Sequence, residues 1–279
     1  MTASARNHQP EGLFTSLAAD YGRHRPGIPA GPVALLADAV REVARPVLLD
    51  LGTGTGQVPV ALLPAVPRLA RVDLVDADAD MLREAAAALA PLPDGSPAGF
   101  HHALAQDFTP PYEGYRADLI TCARAFHWMP RADVLAMADR VAAPGATVAV
   151  MGDGSLWTCA APWATELKRL IQSHLGAERR AGPTGVYGGP KRSYQDDLAE
   201  SAFARVTEHR FPVRRTWTPD GVVAHLRSTS FARADLFEDR HARFEDEALT
   251  LLERHHVTGG LIENAVFEVL LARRPRGGR

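Results

Sequence analysis

Apolar positions recur along this chain in two rhythms, short unbroken runs and helical stripes, and from residue 33 to residue 150 the two alternate. The runs 47–51, 72–75, 101–105, 118–122 and 147–150 read as buried strands, since each is short and bounded by turn residues. Before the first of them 33–43, and between them 57–63, 81–89 and 132–141, read as helices. Strand and helix in alternation predict a parallel sheet joined by right-handed crossovers. After Met151 the rhythm changes: 164–175, 196–201, 220–226 and 244–255 read as helices, 182–192 as a Gly/Pro-rich loop, 205–213 as a strand and 265–271 as an apolar terminal run. Neither an internal repeat nor a linker breaks the chain, which predicts one domain over 1–279.

The first strand ends in chemistry. Val47-Leu48-Leu49-Asp50-Leu51 runs into Gly52-Thr53-Gly54-Thr55-Gly56, and glycines at a strand-to-helix junction let the backbone take positive φ and approach a ligand closely. Asp76 closes the second strand about twenty residues on, in register with that loop. Two strand ends of this kind build a nucleoside-binding crevice in an open α/β sheet. A dinucleotide fingerprint would read G-x-G-x-x-G, with the helix N-terminus aimed at a pyrophosphate. Here Gln57 stands in place of the third glycine and Asp50 lies beside the loop, an awkward neighbour for a diphosphate but a suitable one for a ligand carrying an amine and a sulfonium.

These residues resemble the first motif of class I S-adenosylmethionine-dependent methyltransferases. The resemblance continues through Asp76-Ala77-Asp78-Ala79-Asp80-Met81-Leu82, similar to the family's second motif, Ala105-Gln106-Asp107-Phe108 at the third strand end, 117–128 through the fourth strand and its exit loop, and 143–150 into the fifth. It implies a Rossmann-like seven-stranded sheet, five parallel strands plus an antiparallel edge pair, with helices on both faces and a helical lid. In those terms 14–43 is an N-terminal helical cap, 47–151 the donor-binding core, 152–204 and 218–257 the acceptor lid, and 205–217 and 264–274 the edge strands.

Residue by residue, the resemblance implies that S-adenosylmethionine is held by Asp50, Gly52, Thr53, Gly54 and Gly56 at the loop, by Asp76 at the ribose hydroxyls, by Ala77 and Met81 beside the adenine, by Gln106, Asp107 and Phe108 near its amino group, and by Ala123 and Arg124 after the fourth strand. Asp78 and Asp80 read instead as acids that cap the next helix and match its dipole. The segment Ala125-Phe126-His127-Trp128 recurs in a small-molecule subgroup of the family, which places His127 where a general base would meet the acceptor and Trp128 at the pocket wall. Tyr21 and Arg25, in a Tyr-x-x-x-Arg-Pro lead-in of the same subgroup, are expected to close over the methyl group and to pair with the donor's carboxylate. Tyr187, Lys191 and Arg192 flank the flexible loop and are expected to meet the acceptor. Thr109-Pro110-Pro111-Tyr112 resembles a base-holding motif of nucleic-acid amino-methyltransferases, but it precedes the fourth strand and begins with Thr.

The rest of the chain narrows the partners. A net charge of -2 leaves no basic footprint for nucleic acid. No apolar run reaches the roughly 18 residues of a membrane span, and residues 1–11 lack a signal-peptide core. Cys122 and Cys159 make neither a disulfide framework nor a metal pair, so a cytoplasmic location and no metal are expected. The expected protein is a monomer or homodimer that moves a methyl group from S-adenosylmethionine to O or N of a small organic acceptor. The alternatives are an NAD-dependent oxidoreductase and a non-catalytic S-adenosylmethionine-binding sensor.

Overall fold

Alternation along the first strand, β1 (Val47–Leu51), sets two layers: Leu48 points into one hydrophobic cluster, Leu49 and Leu51 into another. The computed structural model describes residues 24–90, 97–178, 192–256 and 260–275. Around β1 lie β2 (Arg71–Asp76), β3 (Ala98–His102), β4 (Ala117–Ala123), β5 (Ala142–Asp153), β6 (Arg205–Trp217) and β7 (Leu261–Arg273), in the sheet order β3-β2-β1-β4-β5-β7-β6. The first five pair parallel, and β7 is antiparallel to both its neighbours. A doubly wound dinucleotide fold would place a parallel sixth strand beside the fifth. Here an antiparallel strand occupies that place.

One face of the sheet is covered by α1 (Ala30–Ala39), α2 (Gln57–Leu62) and α3 (Ala79–Ala88), whose Leu36, Val58, Leu62, Leu82 and Ala85 pack on Leu48, Leu74 and Phe267. The other face is covered by α4 (Arg131–Val141), through Val134, Leu135 and Met137. Each such aliphatic side chain contributes about 1.5–3 kcal/mol on burial, so the two faces fix the strand ends that carry the crevice.

A third cluster stands apart. Helices α5 (Pro162–Leu175), α7 (Pro219–Arg227) and α8 (His241–His255) bury Trp163, Leu167, Val223, Phe237, Phe244 and Leu252 against one another, joined by Trp217 and Leu261 from the ends of β6 and β7. The short helix α6 (Tyr194–Ala199) does not join it. Its Leu198, with Phe203, packs under the sheet beside α4, so the last part of the expected lid segment 152–204 belongs to the sheet's own layer.

Several strands differ from the bounds of their apolar runs, β5 among them at 142–153 against 147–150. The third lies at 98–102 rather than 101–105: Ala103 donates its N–H to the Asp76 carbonyl, and the chain then turns at Ala105–Asp107. β6 and β7 run past their apolar stretches 205–213 and 265–271: β6 fills the 205–217 that the resemblance implies and β7 lies at 261–273 against 264–274, the two paired over thirteen residues each, with Pro212 accepted because β6 is an edge strand. Among the described residues no helix is long and apolar enough to cross a membrane.

Candidate active site

The glycine loop leaves β1 through Gly52, Gly54 and Gly56 with φ of 62°, 54° and 78°. A Cβ on Gly52 would stand 2.6 Å from the Ala125 Cβ and 2.7 Å from the Met129 Cε, so this position is closed to a side chain by space as well as by backbone. Beneath the loop the Asp50 carboxylate accepts from the Thr53 hydroxyl at 2.6 Å and the Thr121 hydroxyl at 2.5 Å. Burial pushes its pKa up to about 6 in spite of both bonds. The rise corresponds to about 3 kcal/mol against the charged form, which is tolerated where the loop needs a brace.

Asp76 ties the second strand end to this loop. Its carboxylate accepts from the Gly54 N–H at 2.8 Å and from the Asp78 N–H at 3.0 Å, and burial raises its pKa against those two bonds. Asp78 caps α3 by accepting from the Asp80 and Met81 N–H groups. Met81 is buried in the first turn of α3, Ala77 stands at the edge of the crevice, Gln106 is half-buried and Asp107 exposed. Phe108 is buried, edge-on to His101 and Tyr115, inside the cluster on the α4 face.

On the other side of the loop a cavity of about 720 Å3 opens over the ends of β5 and β7. Arg25, His127 and Trp128 line it, as do Tyr194, Phe231 and Asn264. His127 is exposed on the short turn Phe126–Trp128, with its ring 4.6 Å from that of Trp128. Arg25 donates to the Ser228 carbonyl at 3.3 Å. Arg192 was expected here but is absent from the cavity wall, because Asp197 and Glu200 hold it in ion pairs at the surface. Tyr21, Tyr187 and Lys191 lie outside the described residues.

Around Arg124, which the resemblance places at the donor, stand several residues that carry no motif. Arg124 lines both the cavity and a smaller recess of about 20 Å3 beside the loop, shared with Ala123, Asp50, Gly52, Thr53 and Gly54. Its guanidinium grips Asp153 through Nε at 2.7 Å and Nη2 at 3.1 Å. Asp153 also accepts from Arg215, which reaches Glu263, itself an acceptor for the Trp217 indole N–H at 2.9 Å. Burial would raise the Asp153 pKa, but Arg124 and then Arg215 outweigh it and hold the carboxyl below the usual range. His225, buried beside Arg25, is held neutral, its pKa lowered to about 3 by burial and then by that guanidinium. The signal for Asp153, Arg215, Glu263 and His225 was weak: each is a single polar residue at or near a strand or helix end, and only the fold brings them to Arg124 and Arg25. Among the described residues no cluster of three or more His, Cys, Asp or Glu side chains forms a metal site.

Comparison with known proteins agrees with this geometry. Residues 48–145 match the methyltransferase domain family. An uncharacterised methyltransferase-like protein of Schizosaccharomyces pombe is 24% identical over 246 residues, covering 85% of this chain and 86% of its own. Three solved structures share the fold. A candidate type II methyltransferase from Anaeromyxobacter dehalogenans superposes with a TM-score of 0.58 at 20% identity, over 90% of this chain and 97% of the other. An S-adenosylmethionine-dependent methyltransferase from Thiobacillus denitrificans, solved with S-adenosyl-L-homocysteine, gives 0.51 at 15% identity, over 91% and 96%. The Haemonchus contortus phosphoethanolamine N-methyltransferase 2, solved with phosphomonomethylethanolamine and S-adenosylhomocysteine, gives 0.50 at 14% identity, over 95% of this chain and 57% of that one.

Proposed function

We propose that this protein, whose residues 48–145 match the methyltransferase domain family, is a class I S-adenosylmethionine-dependent enzyme that methylates an oxygen or nitrogen atom of a small organic acceptor seated in the 720 Å3 cavity. The observation that carries the reading is the bond from the Gly54 N–H to Asp76. It locks the loop to the second strand end while the Asp76 carboxylate, with about four lone-pair sites on its two oxygens, keeps acceptor capacity for a pair of ribose hydroxyls. The chemistry of the residues fits the donor: an acid for the ribose, Ala77 and Met81 beside Asp76 for the adenine with Gln106, Asp107 and Phe108 behind, and Arg25 within the cavity for a carboxylate. When bound, S-adenosylmethionine supplies an electrophilic methyl carbon on a positively charged sulfur.

The chain's own work is then chiefly to position and enclose. Holding nucleophile, carbon and leaving group in line can supply about 7–11 kcal/mol, whereas a general base adds about 10²–10⁴-fold. His127 takes the proton from the acceptor heteroatom, and Trp128, Tyr194 and Phe231 wall the cavity against water. The size of the cavity supports a small-molecule acceptor, since such sites span about 300–1,000 Å3.

Calorimetric titration with S-adenosylmethionine, S-adenosylhomocysteine and NAD tests the reading, with Asp76→Ala as the control. Binding of the first two but not NAD, lost in the variant, is expected. Binding of NAD alone would overturn it.

A further inference from the structure

Gln57 separates this loop from a dinucleotide fingerprint by its mere presence, and the structure gives it an occupation. Its side-chain amide N–H donates to the Arg25 carbonyl at 3.1 Å, and its amide oxygen accepts from Arg124 Nη1 at 2.9 Å. The same Nη1 donates to the Pro26 carbonyl at 2.7 Å. Two consecutive carbonyls of the lead-in segment are therefore clasped from below, one by each side chain, directly beside the glycine loop. On its far side the Arg124 guanidinium is fixed by Asp153, which Arg215 holds in turn.

The backbone at Arg124 takes a φ of 58°, the left-handed region in which a non-glycine residue costs on the order of 1–3 kcal/mol. Such a cost persists where the surrounding bonds over-determine the conformation, and here four hydrogen bonds from one guanidinium do so. Its backbone N–H, meanwhile, donates to the Met151 carbonyl and keeps the fourth and fifth strand ends together. Arg124 also forms part of the wall of both the recess at the loop and the larger cavity. Burial strengthens the arrangement, because the side chains of Arg124 and Asp153 are only 9% and 7% exposed and water competes little for the pair.

We infer that Arg124 and Gln57 are positioning residues that clasp the Arg25–Pro26 strap over the donor cleft and, through Asp153, set the wall between donor and acceptor. The inference rests on the donor reading given above. The strap must loosen for a nucleoside to pass and must re-form to hold it, so the clasp governs how long the donor stays rather than whether the sheet folds. With both carbonyls held, Arg25 enters the cavity wall from a fixed backbone.

The experiment measures S-adenosylhomocysteine association and dissociation rates by stopped-flow fluorescence in the unaltered protein, in Gln57→Leu and in Arg124→Lys, with thermal midpoints alongside. Gln57→Leu removes both amide bonds from a half-buried position without touching the ion pairs, so folding is preserved. Dissociation is expected to accelerate about tenfold or more in each variant, since each loses at least one charge-assisted hydrogen bond of the Arg124 guanidinium. Association should stay within about threefold, and the Gln57→Leu midpoint should scarcely move. Dissociation within about twofold of the unaltered protein in Gln57→Leu would overturn the clasp and leave the donor reading intact. No binding of S-adenosylhomocysteine to the unaltered protein would overturn the donor reading, and the clasp with it.

Discussion

At the scale of the residue, two histidines of the cavity wall have opposite surroundings. His127 is exposed on a turn where an acceptor can reach it, whereas His225 is buried with Nδ1 3.3 Å from the His24 carbonyl and its ring 5.1 Å from that of Trp217. If His127 accepts the acceptor's proton, His127→Ala should lower turnover at saturating substrate by at least about tenfold with donor affinity unchanged, and a smaller loss in steady-state kinetics would remove it from that role. His225 makes a separate prediction about pH. Its folded-state pKa of about 3 lies below the free value of 6.5, so the unfolded chain binds the proton more tightly and stability falls as pH drops from 6.5 toward 3. Asp50 acts in the opposite sense: its pKa of about 6 lies above the free value of 3.8, and acidification across that window relieves the cost of its buried charge. Denaturant melts of the unaltered protein and His225→Asn at pH 7 and pH 5 isolate the histidine. The drop between the two pH values should be smaller in the variant by about 2 kcal/mol, and equal drops would show that His225 is not buried neutral.

Elements were legible to different degrees, for physical reasons. β1 and β4 are buried on both faces, so their apolar runs leave no ambiguity, and their bounds match or fall within a residue of expectation. The edge strand β3 is partly exposed and carries Gly99, His101 and His102, so its apolar signal is thin and the neighbouring Ala103 to Ala105 drew the expected strand toward itself. The glycine loop and Asp76 were readable because their chemistry is local: one acid and three glycines must sit at adjoining strand ends whatever surrounds them. The ionic chain from Arg124 to Glu263 was not readable, because it joins β4, β5, β6 and β7 across more than a hundred residues and no spacing foretells it. Arg192 shows what a polar loop's charge does not tell in advance, since here it pairs with the nearby acids Asp197 and Glu200.

For the whole molecule, the question is whether the helical cluster of α5, α7 and α8 is a separate unit or grows out of the sheet. The cluster has its own core, yet it is anchored on β6 and β7, whose thirteen-residue ladder runs unbroken from the sheet to Trp217 and Leu261 within that cluster. The Trp163 indole donates to the Ile262 carbonyl at 3.0 Å, and Trp217 donates to Glu263, so the tryptophans of the cluster are bonded to the strand that also pairs with β5. These ties argue for one cooperative unit. Phe244, 1% exposed and stacked on Phe237 at 4.1 Å, is the place to test it, because Phe244→Ala should cost about 3–5 kcal/mol at the centre of the cluster. Three of the four tryptophans, Trp157, Trp163 and Trp217, belong to or pack against this cluster, so their fluorescence follows it, whereas far-UV circular dichroism follows helices and sheet together. In urea the two signals should lose stability by the same amount and keep a common midpoint in Phe244→Ala. A fluorescence midpoint well below that of the dichroism would mean that the helical cluster melts on its own, and the cavity would then be walled in part by a unit that folds independently of the glycine loop.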